Sequence, residues 1–276
     1  MYTEKRGNLE ILWKDEGYAK LLGPSLDLEV AQNDIPSSMP RSNEGRGPSR
    51  FIQQSPQEIF RIRPYLRGGM IQYFSRDLFW GPNRRPFDEL RISLQAYQNG
   101  VPTAEPIAGV VKKMWGGFYR GYWVSREIPH AQNLSKALLT HPNATEKKEI
   151  LQITASATRK MHDAGIFHAD LHLGNIVLQK NGDSFKAYLI DFDRAKARNS
   201  LSDKDRMNNL IRFYRSVYKY PKIQSELSKE DWGFFFESYG LKPLEIQKIL
   251  KEGDQSVRRH SLSWWLQMRL LGRGKT

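Results

Sequence analysis

The stretch His168-Ala169-Asp170-Leu171-His172-Leu173-Gly174-Asn175 places a carboxylate and an amide five positions apart. Two largely apolar runs follow, residues 176–179 and 186–193, separated by Asn181-Gly182-Asp183. Such runs flanking an Asn-Gly step predict a β-hairpin, because Asn and Gly tolerate the positive φ that tight hairpin turns require. With Asn181 and Gly182 at or beside the tip, paired residue numbers sum to about 364 to 366, which sets Asn175 opposite the neighbourhood of Asp191. An amide and a carboxylate then emerge at one end of a single ribbon, and Asp170, just upstream, faces the same spot. Two hard oxygen donors suit Mg²⁺, which takes one or two protein ligands and fills its shell with phosphate oxygens and water. Taken singly, His168 reads as a hydrogen-bonded core histidine and an Asp-Asn cluster around Gly as a turn. Their joint occurrence at this spacing carries the chemistry.

An Asp with an Asn five positions on, then a strand and an Asp-Phe step, is similar to the catalytic-loop and metal-binding pattern of protein kinases. In that reading Asp170 is the catalytic base for an attacking hydroxyl, and Asn175 and Asp191 hold the metal. Gly45-Arg46-Gly47 reads as a turn whose backbone N–H groups cover phosphates, with an ordinary loop as the alternative. Arg63 stands where a kinase places its phosphate-pairing lysine, and Glu89 on the next helix is its ion-pair partner; otherwise both are surface charges. ATP and Mg²⁺ are the expected cofactors.

The elements that must position these groups are legible in outline. Residues 58–65 alternate apolar and polar side chains and predict a half-buried strand. Leu90, Leu94 and Tyr97 predict a helix over 87–99, stopped by Gly100, and the aromatic, β-branched run 119–128 predicts another strand. Residues 23–50, rich in Pro, Ser, Gly, Asn and Asp, predict loops and turns between short strands. Residues 129–133 form a linker, after which Asn143 and Glu146 are placed to cap a helix whose buried face carries Ile150, Ile153, Ala157 and Met161 and which ends near Gly165. The expected class is α+β: a bilobal, protein-kinase-like fold with a β-rich N-lobe and its N-terminal extension over 1–130, a helical C-lobe over 131–276, and a cleft between them.

Composition bounds the partners. The 276 residues contain no cysteine, which excludes disulfides, Cys-based zinc sites and a thiol nucleophile and makes a reducing cytoplasm the natural setting. No apolar run of signal-peptide or membrane-spanning length occurs. The net charge of +13 draws the chain toward nucleic acid, an anionic membrane surface or a phosphorylated substrate, without choosing among them.

Further motifs carry a more specific resemblance. Gly45-Arg46-Gly47, the block Ile62-Arg63-Pro64-Tyr65-Leu66-Arg67-Gly68-Gly69, Arg126-Glu127-Ile128-Pro129, His168-Ala169-Asp170 and Ile190-Asp191-Phe192-Asp193-Arg194 make residues 43–220 similar to the lipopolysaccharide core kinases, above all those that phosphorylate 3-deoxy-D-manno-octulosonic acid (Kdo). That resemblance implies ATP-dependent phosphorylation of a Kdo hydroxyl, the 4-OH, on a lipid A precursor. It further implies a peripheral enzyme at the cytoplasmic face of a Gram-negative inner membrane, with residues 122–128 as the hinge strand beside adenine. Ala169 where protein kinases carry arginine, Asp193 in place of the glycine after Asp-Phe, and the absence of an Ala-Pro-Glu element argue against a regulated protein kinase.

A Kdo-containing glycolipid acceptor and an anionic membrane surface are thus the expected partners, with no nucleic acid. Arg67, Arg76, Arg84 and Arg85 are positioned to meet acceptor anions, or are solvated charges. The basic, aromatic segment 258–276 reads either as a membrane-interface helix or as a last helix packed on the C-lobe. Two other functions share parts of the pattern: a heptose or aminoglycoside kinase with the same catalytic groups, and a non-catalytic kinase-like module or nucleic-acid binder. Retention of Asp170, Asn175 and Asp191 together speaks against the last.

Overall fold

A computed structural model describes residues 1–31, 49–66, 77–82, 84–140, 142–182 and 184–270, with the helical backbone alone described at 28–31 and 260–270. The chain divides into two compact units, residues 1–129 with 190–196, and residues 130–189 with 197–276. The segment carrying Asp191 and Asp193 thus groups with the first unit, although the sequence reading assigned everything after 130 to the second. Ion pairs to Arg63 and Arg85 explain this.

The first unit is a seven-stranded antiparallel sheet. Its strands are β1 (Tyr2–Arg6), β2 (Leu9–Trp13), β3 (Arg50–Ser55), β4 (Glu58–Pro64), β5 (Phe79–Trp80), β6 (Pro106–Lys113) and β7 (Phe118–Arg126), in the order β1-β2-β6-β7-β4-β3 with β5 also paired to β7. Alternation divides its side chains between two faces. Ile11, Trp13, Phe60, Ile62 and Val110 pack with Leu22 and Leu26 of α1 (Glu16–Ala31), whereas Leu12, Val111, Tyr119 and Trp123 pack with Leu90 and Leu94 of α2 (Arg85–Gln98). Helix α1 corrects the expectation of loops from residue 23. Pro24 lies inside it, and Leu22 and Leu26, both fully buried, hold the helix through burial where local propensity favours a break.

Two glycines set α2 against the sheet. A Cβ at Gly109 of β6 would stand 2.3 Å from the Pro86 carbonyl, and one at Gly121 of β7 would stand 2.8 Å from the Pro86 ring. Only glycine at these positions lets the first turn of α2 approach closely enough to deliver Arg85 and Glu89 to the sheet.

In the second unit, β8 (Gln132–Asn133) precedes α3 (Leu134–Leu139) and α4 (Ala144–Asp163). Asn143 caps α4 as expected: its side chain accepts from the N–H groups of Thr145 and Glu146, and the Glu146 carboxylate accepts from the Asn143 N–H. After β9 (Ile166–Phe167), β10 (Ile176–Asn181) and β11 (Ser184–Leu189) form the predicted hairpin, with Asn181 opposite Ser184 and Ile176 opposite Leu189. Helices α5 (Asp203–Val217), α6 (Pro221–Glu226), α7 (Lys229–Tyr239) and α8 (Pro243–Leu270) complete the unit. The side chains that would distinguish the two readings of residues 258–276 lie, from 260 onward, outside the description.

His162 of α4 is fully buried; its Nδ1 lies 2.7 Å from the Tyr239 hydroxyl and its Nε2 3.1 Å from Asn209 Oδ1. Burial lowers its pKa to about 4, below the ordinary histidine value of 6.5. A depressed folded pKa gives stability that is complete above pH 6.5 and is lost as pH falls from there through 4, up to about 3 kcal/mol. Melting curves at pH 7 and 4.5 should therefore differ more for the native chain than for His162→Gln.

Candidate active site

The catalytic-loop residues are fixed by main-chain and buried side-chain hydrogen bonds. Asn209 on α5, itself fully buried, donates from Nδ2 to the His168 carbonyl at 2.7 Å and accepts the His168 N–H at 3.1 Å. His168, also fully buried, accepts the Asp170 N–H on Nδ1 at 3.2 Å. The Asp170 carbonyl accepts from Asn175 Nδ2 at 2.9 Å. That bond fixes the Asn175 amide and leaves Oδ1 as its hard donor. His168 is thus the buried, hydrogen-bonded core histidine that the sequence predicts, and it scaffolds the loop.

The Asp170 carboxylate stands out of this scaffold, 64% exposed. His172 Nε2 lies 3.4 Å from its Oδ2, and Arg212 Nη1 lies 3.5 Å from its Oδ1. Because His172 Nδ1 accepts the Gly174 N–H at 2.9 Å, the neutral ring carries its proton on Nε2, toward Asp170. Hydrogen bonding from His172 in the first place, with attraction to Arg212, holds the Asp170 carboxyl below its usual range, so the group is ionised at neutral pH. An exposed, ionised carboxylate on a rigid loop can accept a proton from an approaching hydroxyl.

The other half of the predicted set lies in the first unit. Arg63 on β4 reaches both oxygens of Glu89 on α2, at 3.1 and 3.3 Å, and Asp191 Oδ1 at 3.3 Å. Burial opposes the charge on Arg63, but the carboxylates of Asp191 and Glu89 more than offset it and hold the guanidinium firmly protonated. Burial pushes the Glu89 carboxyl up, while Arg63 and the hydrogen bond donated by the Tyr65 hydroxyl pull it back toward the ionised form that pairs with the guanidinium. Asp191 takes φ 66 and Arg194 φ 62, left-handed conformations that turn the chain sharply on either side of Phe192 and Asp193.

Four groups escaped the sequence reading. Arg85, read there as facing acceptor anions or as a solvated charge, is paired through its Nε and Nη2 with both oxygens of Asp193 and lies over the Phe79 ring. Arg84 donates to the Gly81 carbonyl at 2.7 Å. Tyr65, His172, Asn209 and Arg212 had no role; of these, His172 lies within the catalytic segment and Tyr65 within the block that begins at Ile62, whereas no motif singled out Asn209 or Arg212. Gly45, Arg46, Gly47, Arg67 and Arg76 fall outside the described residues. Among the described residues, no three His, Asp or Glu side chains are grouped to hold a metal ion.

Comparison with known proteins bears on the site as a whole. Residues 32–239 match the model of the lipopolysaccharide kinase (Kdo/WaaP) family, a span that contains Arg63, Glu89, Asp170, Asn175 and Asp191. The chain belongs to this lipopolysaccharide kinase family. A 3-deoxy-D-manno-octulosonic acid kinase of Mannheimia succiniciproducens is 31% identical over 206 residues, 72% of this chain and 83% of the relative. One of Vibrio cholerae is 31% identical over 181 residues, 64% of this chain and 73% of the relative. A solved structure of WaaP in complex with acyl carrier protein superposes with a TM-score of 0.62 at 17% identity, covering 90% of this chain and 98% of that one. The α+β kinase-like fold expected from the sequence is therefore the fold of this family member, and the chain is a kinase.

Proposed function

We propose that this lipopolysaccharide kinase transfers the γ-phosphoryl group of ATP to a Kdo hydroxyl, the 4-OH, of a lipid A precursor. The observation that carries this reading is the Asp170 carboxylate, ionised and exposed on a loop clamped by His168, Asn175 and Asn209. The acceptor hydroxyl gives its proton to Asp170 as its oxygen bonds to phosphorus, while the bond from phosphorus to the β–γ bridging oxygen breaks and ADP leaves. Asn175 and Asp191 would hold Mg²⁺: an orientation-fixed amide oxygen and a carboxylate are hard donors that fit it. When bound, the ion neutralises charge on the transferring phosphoryl group. Arg63, kept charged and aligned by Glu89, pairs nucleotide phosphates. The backbone of β7 borders the adenine.

Support for the acceptor comes from the names of the relatives, and support for a peripheral location at the cytoplasmic membrane face comes from the charge of +13. No helix among the described residues is long and apolar enough to cross a membrane. The test is transfer of label from [γ-³²P]ATP with Mg²⁺ to Kdo-bearing lipid A precursor, compared with heptose-terminated and aminoglycoside acceptors. Label confined to the Kdo acceptor supports the assignment; label confined to another sugar, or none with ATP bound, sinks it.

A further inference from the structure

Helix α5 reaches the catalytic loop through three side chains, Ser216 among them, whose Oγ accepts the Leu173 N–H at 3.4 Å. Asn209 clamps its backbone, and Arg212, one turn further along the same face, extends a guanidinium to the base itself. The Arg212 contact with Asp170, at 3.5 Å, is at the outer limit of a hydrogen bond. A guanidinium carries five N–H donors. Among the described residues Arg212 spends only this one, and its side chain is 41% exposed. Arg215 stands one turn on, its Nη1 donating to Ser256 Oγ at 3.2 Å. Burial and the neighbouring charge of Arg212 both weaken its hold on its proton, a sign that two cations share this helix face.

We propose that Arg212, backed by Arg215, is the subsite for the carboxylate of the acceptor sugar and selects an acidic sugar over a neutral one. The proposal rests on the kinase reading above and deepens it. If Asp170 takes the acceptor proton, that hydroxyl sits within about 3 Å of the carboxylate. A substituent across the same sugar ring then falls within the span of Arg212. Its planar fork matches a carboxylate through two parallel N–H bonds, and exchanging one weak contact to Asp170 for such a pair releases the base to the hydroxyl. With the nucleotide phosphates assigned to Arg63 and Mg²⁺, the acceptor anion is the charge left for this pair of arginines.

The test is steady-state kinetics of the full chain with Kdo-lipid A precursor, its Kdo carboxamide analogue and its dephosphorylated analogue. Native enzyme should disfavour the carboxamide by about 10- to 100-fold in kcat/KM, the range of a charge-assisted hydrogen-bond pair. Arg212→Gln should raise the acceptor KM by a similar factor, leave the KM for ATP within about threefold, and abolish discrimination against the carboxamide. Arg212→Lys, which keeps the charge and loses the fork, should recover part of the affinity and keeps the test alive if the Gln variant folds poorly. Equal use of acid and carboxamide by native enzyme overturns the subsite. So does an Arg212→Gln variant that keeps its discrimination while the acid limb of its pH profile moves, because Arg212 would then act only on Asp170. Loss of discrimination against the dephosphorylated analogue alone would reassign the arginines to a lipid phosphate and overturn the carboxylate. Absence of any transfer by native enzyme to any of the three acceptors would instead count against the kinase reading itself.

Discussion

Asp170→Asn should lower the single-turnover rate of phosphoryl transfer by about 10³-fold while leaving ATP affinity and thermal stability close to native. The structure separates these effects. What binds Asp170 into the loop is its main chain, the N–H to His168 and the carbonyl to Asn175, and both survive the substitution. Only the exposed carboxylate changes, from a proton acceptor to an amide that cannot take the hydroxyl proton. Rapid-quench measurement at saturating ATP reads the chemical step directly; a variant retaining more than about a tenth of the native rate would remove Asp170 from the role of base. The sign of the pH dependence follows from the same geometry. Hydrogen bonding to His172 lowers the Asp170 pKa, so the base stays ionised, and the rate stays high, as pH falls to the ordinary carboxylate range. Removing the His172 ring should move the acid limb of kcat/KM upward.

Legibility in the sequence followed the range of the interactions. The β10–β11 hairpin and the α4 cap are local: an Asn-Gly tip and an Asn-x-x-Glu box state their own geometry, and both form as read. Arg63 and Glu89, 26 residues apart, do pair, a contact that the similarity to the kinase lysine–glutamate pair implied and no local pattern stated. Helix α1 was missed because Gly23 and Pro24 signal a break locally, while the burial of Leu22 and Leu26 against a sheet assembled from distant strands overrides them. Arg85 was left between acceptor anions and solvent because nothing near residue 85 announces Asp193, 108 positions away. The span explains why Asn209 was invisible too: it acts on His168 across 41 residues, in a helix whose pattern says only that one face is buried.

Asn209→Ala should therefore be the most damaging change outside the catalytic groups. In the native chain Asn209 Oδ1 accepts both the His168 N–H and the His162 Nε2–H, and Nδ2 donates to the His168 carbonyl. Asn209, His162 and His168 are all fully buried, so water does not readily replace the lost amide. Three buried polar groups lose this amide as a partner, and at about 1–3 kcal/mol each the expected loss is near 3 kcal/mol. Part of the effect should appear in catalysis. The His168 backbone is the strut on which its own imidazole holds the Asp170 N–H, and a shift of about 1 Å in the loop is enough to lower kcat ~10²-fold. Asn209→Asp distinguishes the components. It keeps an acceptor for the His168 N–H and the His162 ring but presents an oxygen, not an N–H, to the His168 carbonyl. Chemical denaturation should rank the chains native, Asp, Ala, with rapid-quench rates in the same order. Equal stability of native and Ala chains would mean that the loop is held by other contacts and that α5 does not position the base.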